Sequence, residues 1–223
     1  MTLKTHAAFF DFDGTLIAGD SQTLEMIHIL RNGPPSWMFY IRALLPLATA
    51  VLYHIGLVSQ RIHNIAYLKT YRHVHEREVV RRSQLLFEKE IRKIFIPQSM
   101  ELMEHHAREG AVIVVVSATT CQILEPVRQF IKPDFTACTA LETDKDGRCT
   151  GRSLGRICIG TEKARQVQAL AEKHQIDLSK SFAYSDHHAD IPLLEAVGFP
   201  AVVNPTARLL RVANQRGWVV HQF

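Results

Sequence analysis

Two carboxylates, Asp11 and Asp13, stand two residues apart at the end of a short apolar run, with Gly14 and Thr15 directly after them. In extended chain, residues two apart point to the same side, so both acids can face one ligand. Such a pair suits divalent-cation binding or acid/base work. Gly14 lets the backbone turn sharply and approach a ligand closely. The plain alternative is an acidic turn closed by side-chain-to-backbone hydrogen bonds. Three further features follow in order. Ser117 ends the run AVIVVVS, where its hydroxyl and the next backbone N–H groups can hold a phosphate oxygen. Lys163 falls in the first turn of a helix, where a cation opposes the helix dipole. Asp186 and Asp190 stand four apart after another strand-like run. Taken singly, these are a turn serine, a surface lysine and a helix N-cap.

The elements that must position these residues read as α/β. Strands are expected at 7–11, 111–117, 181–186 and 201–203, with a weaker one at 134–138. The continuously apolar 111–117 suits a parallel strand covered on both faces. Helices alternate with the strands: 98–108 opened by Pro97, 161–174 capped by Thr161, a short one after Asp190, and 206–216 ended by Gly217. Asp146-Gly147 marks a β-hairpin within 139–158. In a doubly wound sheet, ligands bind at the carboxyl ends of strands, where the acids fall. Residues 20–96 break the rhythm and read as all helix, at 21–32, 36–54, 59–72 and 76–95, with Asn32-Gly33-Pro34-Pro35 and Gly56 as turns. The organisation predicted is an α/β core of 1–19 and 97–223 with a helical cap of 20–96 inserted after the first strand.

The set Asp11/Asp13, Ser117, Lys163 and Asp186/Asp190 resembles the four motifs of the haloacid dehalogenase (HAD) superfamily, spread over residues 11–190 in the order that family uses. A helical insert directly after the first motif resembles the family's C1 cap. The stretches DFDGTL and SDHHADIPLL are most similar to subfamily IB, which includes phosphoserine phosphatases. The resemblance implies a Rossmannoid fold and a Mg²⁺-dependent phosphomonoester hydrolase. In it Asp11 is the nucleophile that becomes an aspartyl-phosphate, and Asp13 is the general acid and then base. It also implies that Mg²⁺ sits on the Asp11 carboxylate, the Asp13 carbonyl and Asp186, with Asp190 orienting that shell. Ser117 and Lys163 are implied to hold phosphoryl oxygens. A cation has a clear purpose, since two like charges 4 Å apart repel by about 4 kcal/mol at an effective dielectric near 20. Asp13 argues for phosphoryl transfer over dehalogenation, because a halide leaves without a proton. A sugar-phosphate mutase shares the acid pair but fits the cap less well. Many phosphoserine phosphatases read GDGxND where this chain reads SDHHAD, and have Glu where Asp20 stands as a candidate substrate-binding residue.

The substrate expected is a small phosphorylated metabolite such as phosphoserine. A lipid phosphate of the phosphatidylglycerophosphate kind, met at an anionic membrane surface, is the alternative, and a catalytically silent HAD-like binding module is a third reading. Two patterns motivate the lipid alternative. Residues 31–93 carry 11 Lys/Arg against 4 Asp/Glu, within a chain whose net charge is only +4. Residues 37–58 are the most apolar stretch. As a span it is marginal: ten Leu/Ile/Val/Phe give roughly −3 to −6 kcal/mol, while Arg42 costs about +2.5 to +3.5. A buried or interdomain cap helix is the first expectation for it, a lipid-binding amphipathic surface the second and a true span the last. Nucleic acid is not an expected partner. Ordinary composition, with 47% hydrophobic and 22% charged residues, excludes global disorder. Four Cys without a C-x-x-C pair read as reduced thiols, and an N-terminal apolar run too short for a signal peptide points to the cytoplasm, with attachment at the membrane's inner face for the lipid alternative.

Overall fold

The computed structural model describes residues 5–32 and 37–223. After β1 (Ala7–Phe10) come four helices, α1 (Ser21–Asn32), α2 (Trp37–His54), α3 (Gln60–Lys69) and α4 (Glu76–Lys89), and then α5 (Pro97–Arg108). Next are β2 (Val112–Thr120), α6 (Cys121–Ile131) and β3 (Phe135–Thr139), followed by the hairpin β4 (Leu141–Thr143) and β5 (Cys149–Ser153). The chain closes with α7 (Thr161–His174), β6 (Phe182–Ser185), α8 (Ile191–Leu194), β7 (Phe199–Val203), α9 (Ala207–Arg216) and β8 (Val219–His221).

Six strands form one parallel sheet in the order β3-β2-β1-β6-β7-β8. β1 lies where the order reverses, so a crevice opens beyond its carboxyl end. β1 is buried along its whole length, and its side chains alternate between two layers. Phe10 joins Ile113, Val115 and Tyr184 on one face. Ala7 and Phe9 join Val114, Val202 and, from α7 and α9, Val167 and Leu209 on the other. Both faces being dry, the short strand is fixed in register (Phe9 opposite Val114 and Ala183), and the acids that follow it are fixed with it.

α1 to α4 lie between β1 and β2 in sequence, as the break in the βα rhythm predicted. α4 packs on α6, and α3 on β5. The described side chains of α2 divide between a buried and an exposed face, and Tyr53 reaches His187 of the α/β core, as a helix between cap and core would. Thr49 and Ala50 are buried, but Leu44, Leu45 and Val51 are exposed. Among the described residues no helix is long and apolar enough to cross a membrane. The turn expected at Asn32-Gly33-Pro34-Pro35 falls on residues 33–36, outside the described residues.

Several local expectations are corrected. β2 runs past Ser117 to Thr120 with a register irregularity, because the small polar residues after Val116 still pair with β3. α6, with Pro126 inside it, and the short edge strand β8 were not read from sequence. Helix 76–95 stops at Lys89 and passes into a 3₁₀ turn. Gly160 rather than Thr161 occupies the N-cap of α7. Cys121 and Cys138 are joined by a disulfide, against the expectation of four reduced thiols; parallel pairing of β2 with β3 brings them together across 17 residues without any local Cys motif. Cys149 and Cys158 are free and buried.

Candidate active site

Asp11 follows β1 directly, and its backbone N–H donates to the Tyr184 carbonyl of β6, which continues the sheet by one residue. Its Oδ1 accepts from the Phe12 N–H at 2.7 Å and lies 2.8 Å from Lys163 Nζ. Lys163, in the first turn of α7, also donates to Asp190 Oδ2 at 2.6 Å. Asp190 accepts a second hydrogen bond from Ser185 Oγ at 2.8 Å. Asp11, Lys163 and Asp190 are 6%, 2% and 2% exposed, so this is a dry ion network rather than a surface pair. Such a network holds only when each charge is matched and hydrogen-bonded. Asp190 stands at the N-cap of α8, yet its carboxylate turns away to Lys163 and Ser185 and makes no cap bond.

Asp13 projects toward the start of α1, where its Oδ1 accepts from the Ser21 N–H at 2.7 Å. Gly14 has φ +74, a region that L side chains rarely adopt, and a Cβ there would stand 2.4 Å from Asp186 Oδ2. The absent side chain is what lets the first loop and the β6 loop approach, bringing Asp186 beside the Asp11 loop. Asp20 caps α1, with Oδ1 accepting from the Thr23 N–H at 2.6 Å.

The charge balance is uneven. Asp11, Asp13, Asp186 and Asp190 gather around one ammonium, Lys163. Burial pushes the Asp11 carboxyl well above the usual range, with Lys163 opposing. Burial, with Asp20 adding to it, raises Asp13 to about 7. Burial and Asp190 raise Asp186 to about 7. Burial also works against Asp190, but Lys163 and the hydrogen bonds to it outweigh burial and hold it below the usual range. Lys163 is raised, because its two carboxylate partners outweigh the burial that disfavours its charge.

A cavity of about 530 Å³ opens over these groups. Asp11, Asp13, Asp186 and Lys163 line one end, and Asp20, Gln22, Tyr53 and Asn64 line the part beneath α1, α2 and α3. Asp20 therefore reaches the cavity, as its candidate role required. Ser117 does not line it: it is fully buried, its Oγ accepts from the Thr119 N–H at 3.1 Å, and the wall at that point is Ala118. Three features of the wall had no signal in sequence. Tyr53 OH meets His187 Nε2 at 2.8 Å, and His187 Nδ1 accepts from the Ala189 N–H at 3.1 Å. The Gln22 and Asn64 amides are hydrogen-bonded to each other. Tyr53, Gln22 and Asn64 come from α2, α1 and α3 and carry no spacing that sequence reasoning recognises, whereas His187 lies in the loop after β6, beside Asp186, where its place next to the acids was legible.

A parallel sheet whose carboxyl edge gathers four acids around one lysine, under a helical insert, defines a Rossmann-like enzyme. A profile of haloacid dehalogenase-like hydrolases matches residues 8–195. The chain belongs to this family, and within it to the phosphatases. It is 31% identical, over its full length and 80% of the relative, to an "Inhibition of morphological differentiation protein" of Streptomyces azureus. It is 30% identical to phosphoserine phosphatase SerB1 of Mycobacterium tuberculosis, covering 98% of this chain and 71% of that one. A 35% match to a histidinol-phosphatase of Neisseria meningitidis covers 57% of this chain and 59% of that one. Among solved structures, a Bordetella pertussis protein of unknown function superposes with a TM-score of 0.84 at 25% identity, covering 98% of both chains. A phosphoserine phosphatase solved as a phospho-aspartyl intermediate analogue shares the fold, with a TM-score of 0.70 at 16% identity, covering 98% of this chain and 93% of that one.

Proposed function

We propose that this chain hydrolyses a small phosphomonoester through an aspartyl-phosphate on Asp11, phosphoserine being one candidate substrate. The observation that carries the reading is the Asp11–Lys163–Asp190 network at the carboxyl edge of the sheet. An unprotonated Asp11 oxygen forms a bond to phosphorus while the bond from phosphorus to the leaving oxygen breaks. Asp13, whose buried carboxyl keeps its proton to about pH 7, gives that proton to the leaving oxygen. Asp13 then takes a proton from the water that attacks phosphorus, which releases inorganic phosphate and restores Asp11. Lys163, fixed between two carboxylates, holds Asp11 in place and sets a positive charge beside the transferring phosphoryl group. Ser117 acts in this scheme by fixing the irregular end of β2 through its bond to the Thr119 N–H.

The residues fit a divalent cation. Four acids against one ammonium leave negative charge unbalanced, and the Gly14 cradle admits the Asp186 carboxylate beside the first loop. Among the described residues no group of three or more His, Cys, Asp or Glu side chains is placed to hold a metal ion by itself. An open site with two carboxylates, a carbonyl, water and substrate phosphate is the arrangement that suits Mg²⁺. Asp11, Asp186 and the Asp13 carbonyl would hold it, and Asp190 would steady Lys163 and Ser185 behind them. Bound there, it would supply charge neutralisation for the attack of a carboxylate on a phosphate. The division into a core of 1–19 and 97–223 and a cap of 20–96 belongs to the same reading, with the cap forming the cavity's substrate end.

A phosphatase assay with Mg²⁺ tests the proposal, comparing wild type with Asp11→Asn. Loss of nearly all turnover with an unchanged melting temperature is expected; full activity in the variant would remove Asp11 as nucleophile. One observation favours the lipid-phosphate alternative. Leu44, Leu45, Val51, Ile55 and Leu57 are 50–71% exposed along α2 and its following turn, the helix that also brings Ala50 and Tyr53 to the cavity. Flotation with anionic vesicles at low salt separates the two, since a metabolite phosphatase stays unbound.

A further inference from the structure

β2 and β3 pair in step from Val114 with Phe135 to Val116 with Ala137, and next at Thr120 with Thr139. Between those pairs three residues of β2, Ser117 to Thr119, face the single residue Cys138. A strand carrying extra residues loses ladder bonds and bends at that point. This bulge lies beside the catalytic acids. Phe10 pairs with Val115, so the bulge flanks the end of β1 that leads into Asp11, and Ala118 within it forms cavity wall. Side chains replace the missing ladder bonds. Thr139 Oγ1 donates to the Ala118 carbonyl at 2.7 Å and accepts from the Cys158 N–H at 3.1 Å. Ser21 Oγ donates to Thr119 Oγ1 at 3.1 Å. A covalent tie is added to these. Cys121, the first residue of α6, is bonded to Cys138, with their Cα atoms 5.2 Å apart. The bond joins the residue just past the bulge to the residue that the bulge faces.

The four cysteines are placed differently with respect to solvent. Cys149 and Cys158 are free and shut off, at 1% and 0% exposure. Cys121 and Cys138 are half-buried, so an incoming thiolate can reach their bond. Accessible disulfides are the exchangeable ones. A dithiol reductant opens this one in two steps. One of its thiols, as thiolate, attacks a sulfur; a mixed disulfide forms and the other cysteine leaves as a thiolate that takes a proton. The second thiol of the reductant then loses its proton and displaces the remaining cysteine. Two electrons pass to the protein, the reductant departs as a disulfide, and Cys121 and Cys138 become thiols.

We infer that the Cys121–Cys138 pair is a thiol–disulfide switch acting on the Asp11 end of the cavity, with a dithiol as its reductant. Bonded, it fixes the bulge that presents Ala118 to the site. Reduced, the bulge rests on hydrogen bonds, and phosphoryl binding weakens. The kinetic consequence rests on the phosphomonoesterase reading above; the loosening of the bulge does not.

The test is a reversible titration of the wild-type protein over reduced-to-oxidised ratios of dithiothreitol. Alkylation after denaturation should count two thiols in the bonded form, Cys149 and Cys158, and all four cysteines in the reduced form. Amide hydrogen exchange over residues 117–121 should quicken about tenfold as the count rises. With p-nitrophenyl phosphate and Mg²⁺, KM and the inhibition constant of inorganic phosphate should each rise about fivefold on reduction, and recover on reoxidation. Cys121→Ser should show the reduced values in every buffer, while Cys149→Ala keeps the switch. Four thiols at every ratio, an exchange rate that ignores the thiol count, or a KM that ignores it would each overturn the inference. Should Cys121→Ser fail to fold, the wild-type titration decides alone. Absence of p-nitrophenyl phosphate turnover in both forms would mark failure of the hydrolase reading, and the thiol count and exchange rates then decide the switch.

Discussion

Gly14→Ala isolates the contact between the first loop and Asp186. Two costs follow from the structure. At φ +74 an L side chain is strained, by roughly 1–2 kcal/mol. The added Cβ would also meet Asp186 Oδ2 at 2.4 Å, so the carboxylate has to retreat by about 1 Å to reach ordinary contact. A displacement of that size at a reacting centre costs on the order of 100-fold in rate. Gly110→Ala is the control: it has φ +82 but nothing within 4 Å of its added Cβ, so it carries strain without the clash. Both variants should melt roughly 2–8 °C lower, given about 2–4 °C per kcal/mol for a chain of this size. Gly14→Ala alone should lose about 100-fold in kcat and need more Mg²⁺ for half-maximal activity. The assay is steady-state hydrolysis of p-nitrophenyl phosphate over a Mg²⁺ titration, with melting curves alongside. Wild-type kcat and Mg²⁺ dependence in Gly14→Ala would refute the packing of Asp186 against that glycine as the means of placing it.

Three further outcomes are expected. Asp13→Asn should slow phosphorylation of Asp11 in single-turnover experiments about 10²–10⁴-fold for an alkyl phosphomonoester but much less for p-nitrophenyl phosphate, because p-nitrophenolate leaves without a proton, while hydrolysis of the intermediate slows alike for both; equal slowing of the phosphorylation step contradicts the acid role. Lys163→Met should leave Asp11 and Asp190 buried without their cation, destabilising the fold by about 3–5 kcal/mol in urea titration, whereas a loss under 1 kcal/mol would mean that the network is not energetically coupled. His106 is 6% exposed, its Nε2 meets Tyr184 OH at 2.7 Å, and burial lowers its pKa to about 4. The unfolded chain, with a histidine near 6.5, therefore binds more protons below that pH, and stability is lost as pH falls from about 6.5 to about 4, by at most about 3 kcal/mol. His106→Gln should flatten that part of the pH–stability curve, and an unaltered curve would count against the buried neutral imidazole.

The site was legible wherever chemistry and backbone period coincide. Asp11 and Asp13 follow a four-residue strand buried on both faces, so their position at the sheet edge follows from apolar pattern alone. Lys163 was legible as a first-turn lysine, but its two carboxylate partners come from elsewhere in the chain, and only the fold reveals that it is buried between them. Asp190 read as a helix cap because local sequence favours that use; Lys163, 27 residues earlier, wins its carboxylate. Ser117 read as a strand end, whereas irregular pairing with β3 carries the strand on and draws its hydroxyl inward. The Cys121–Cys138 bond was hidden for a similar reason, since it depends on strand neighbours rather than spacing. Gln22, Tyr53 and Asn64 were illegible altogether. They sit on helices whose visible pattern reports which face is apolar, and nothing in that pattern distinguishes a cavity-lining amide from a solvated one.

The covalent step at position 11 is tested most directly by trapping it. Turnover with p-nitrophenyl phosphate and Mg²⁺ is quenched in acid and treated with borohydride, which reduces an acyl phosphate to an alcohol, and peptide mass spectrometry then reads the side chain at Asp11. The account predicts homoserine at position 11 in the presence of substrate and unaltered aspartate in its absence. Rapid phosphate release with no reduction product at that position would contradict it.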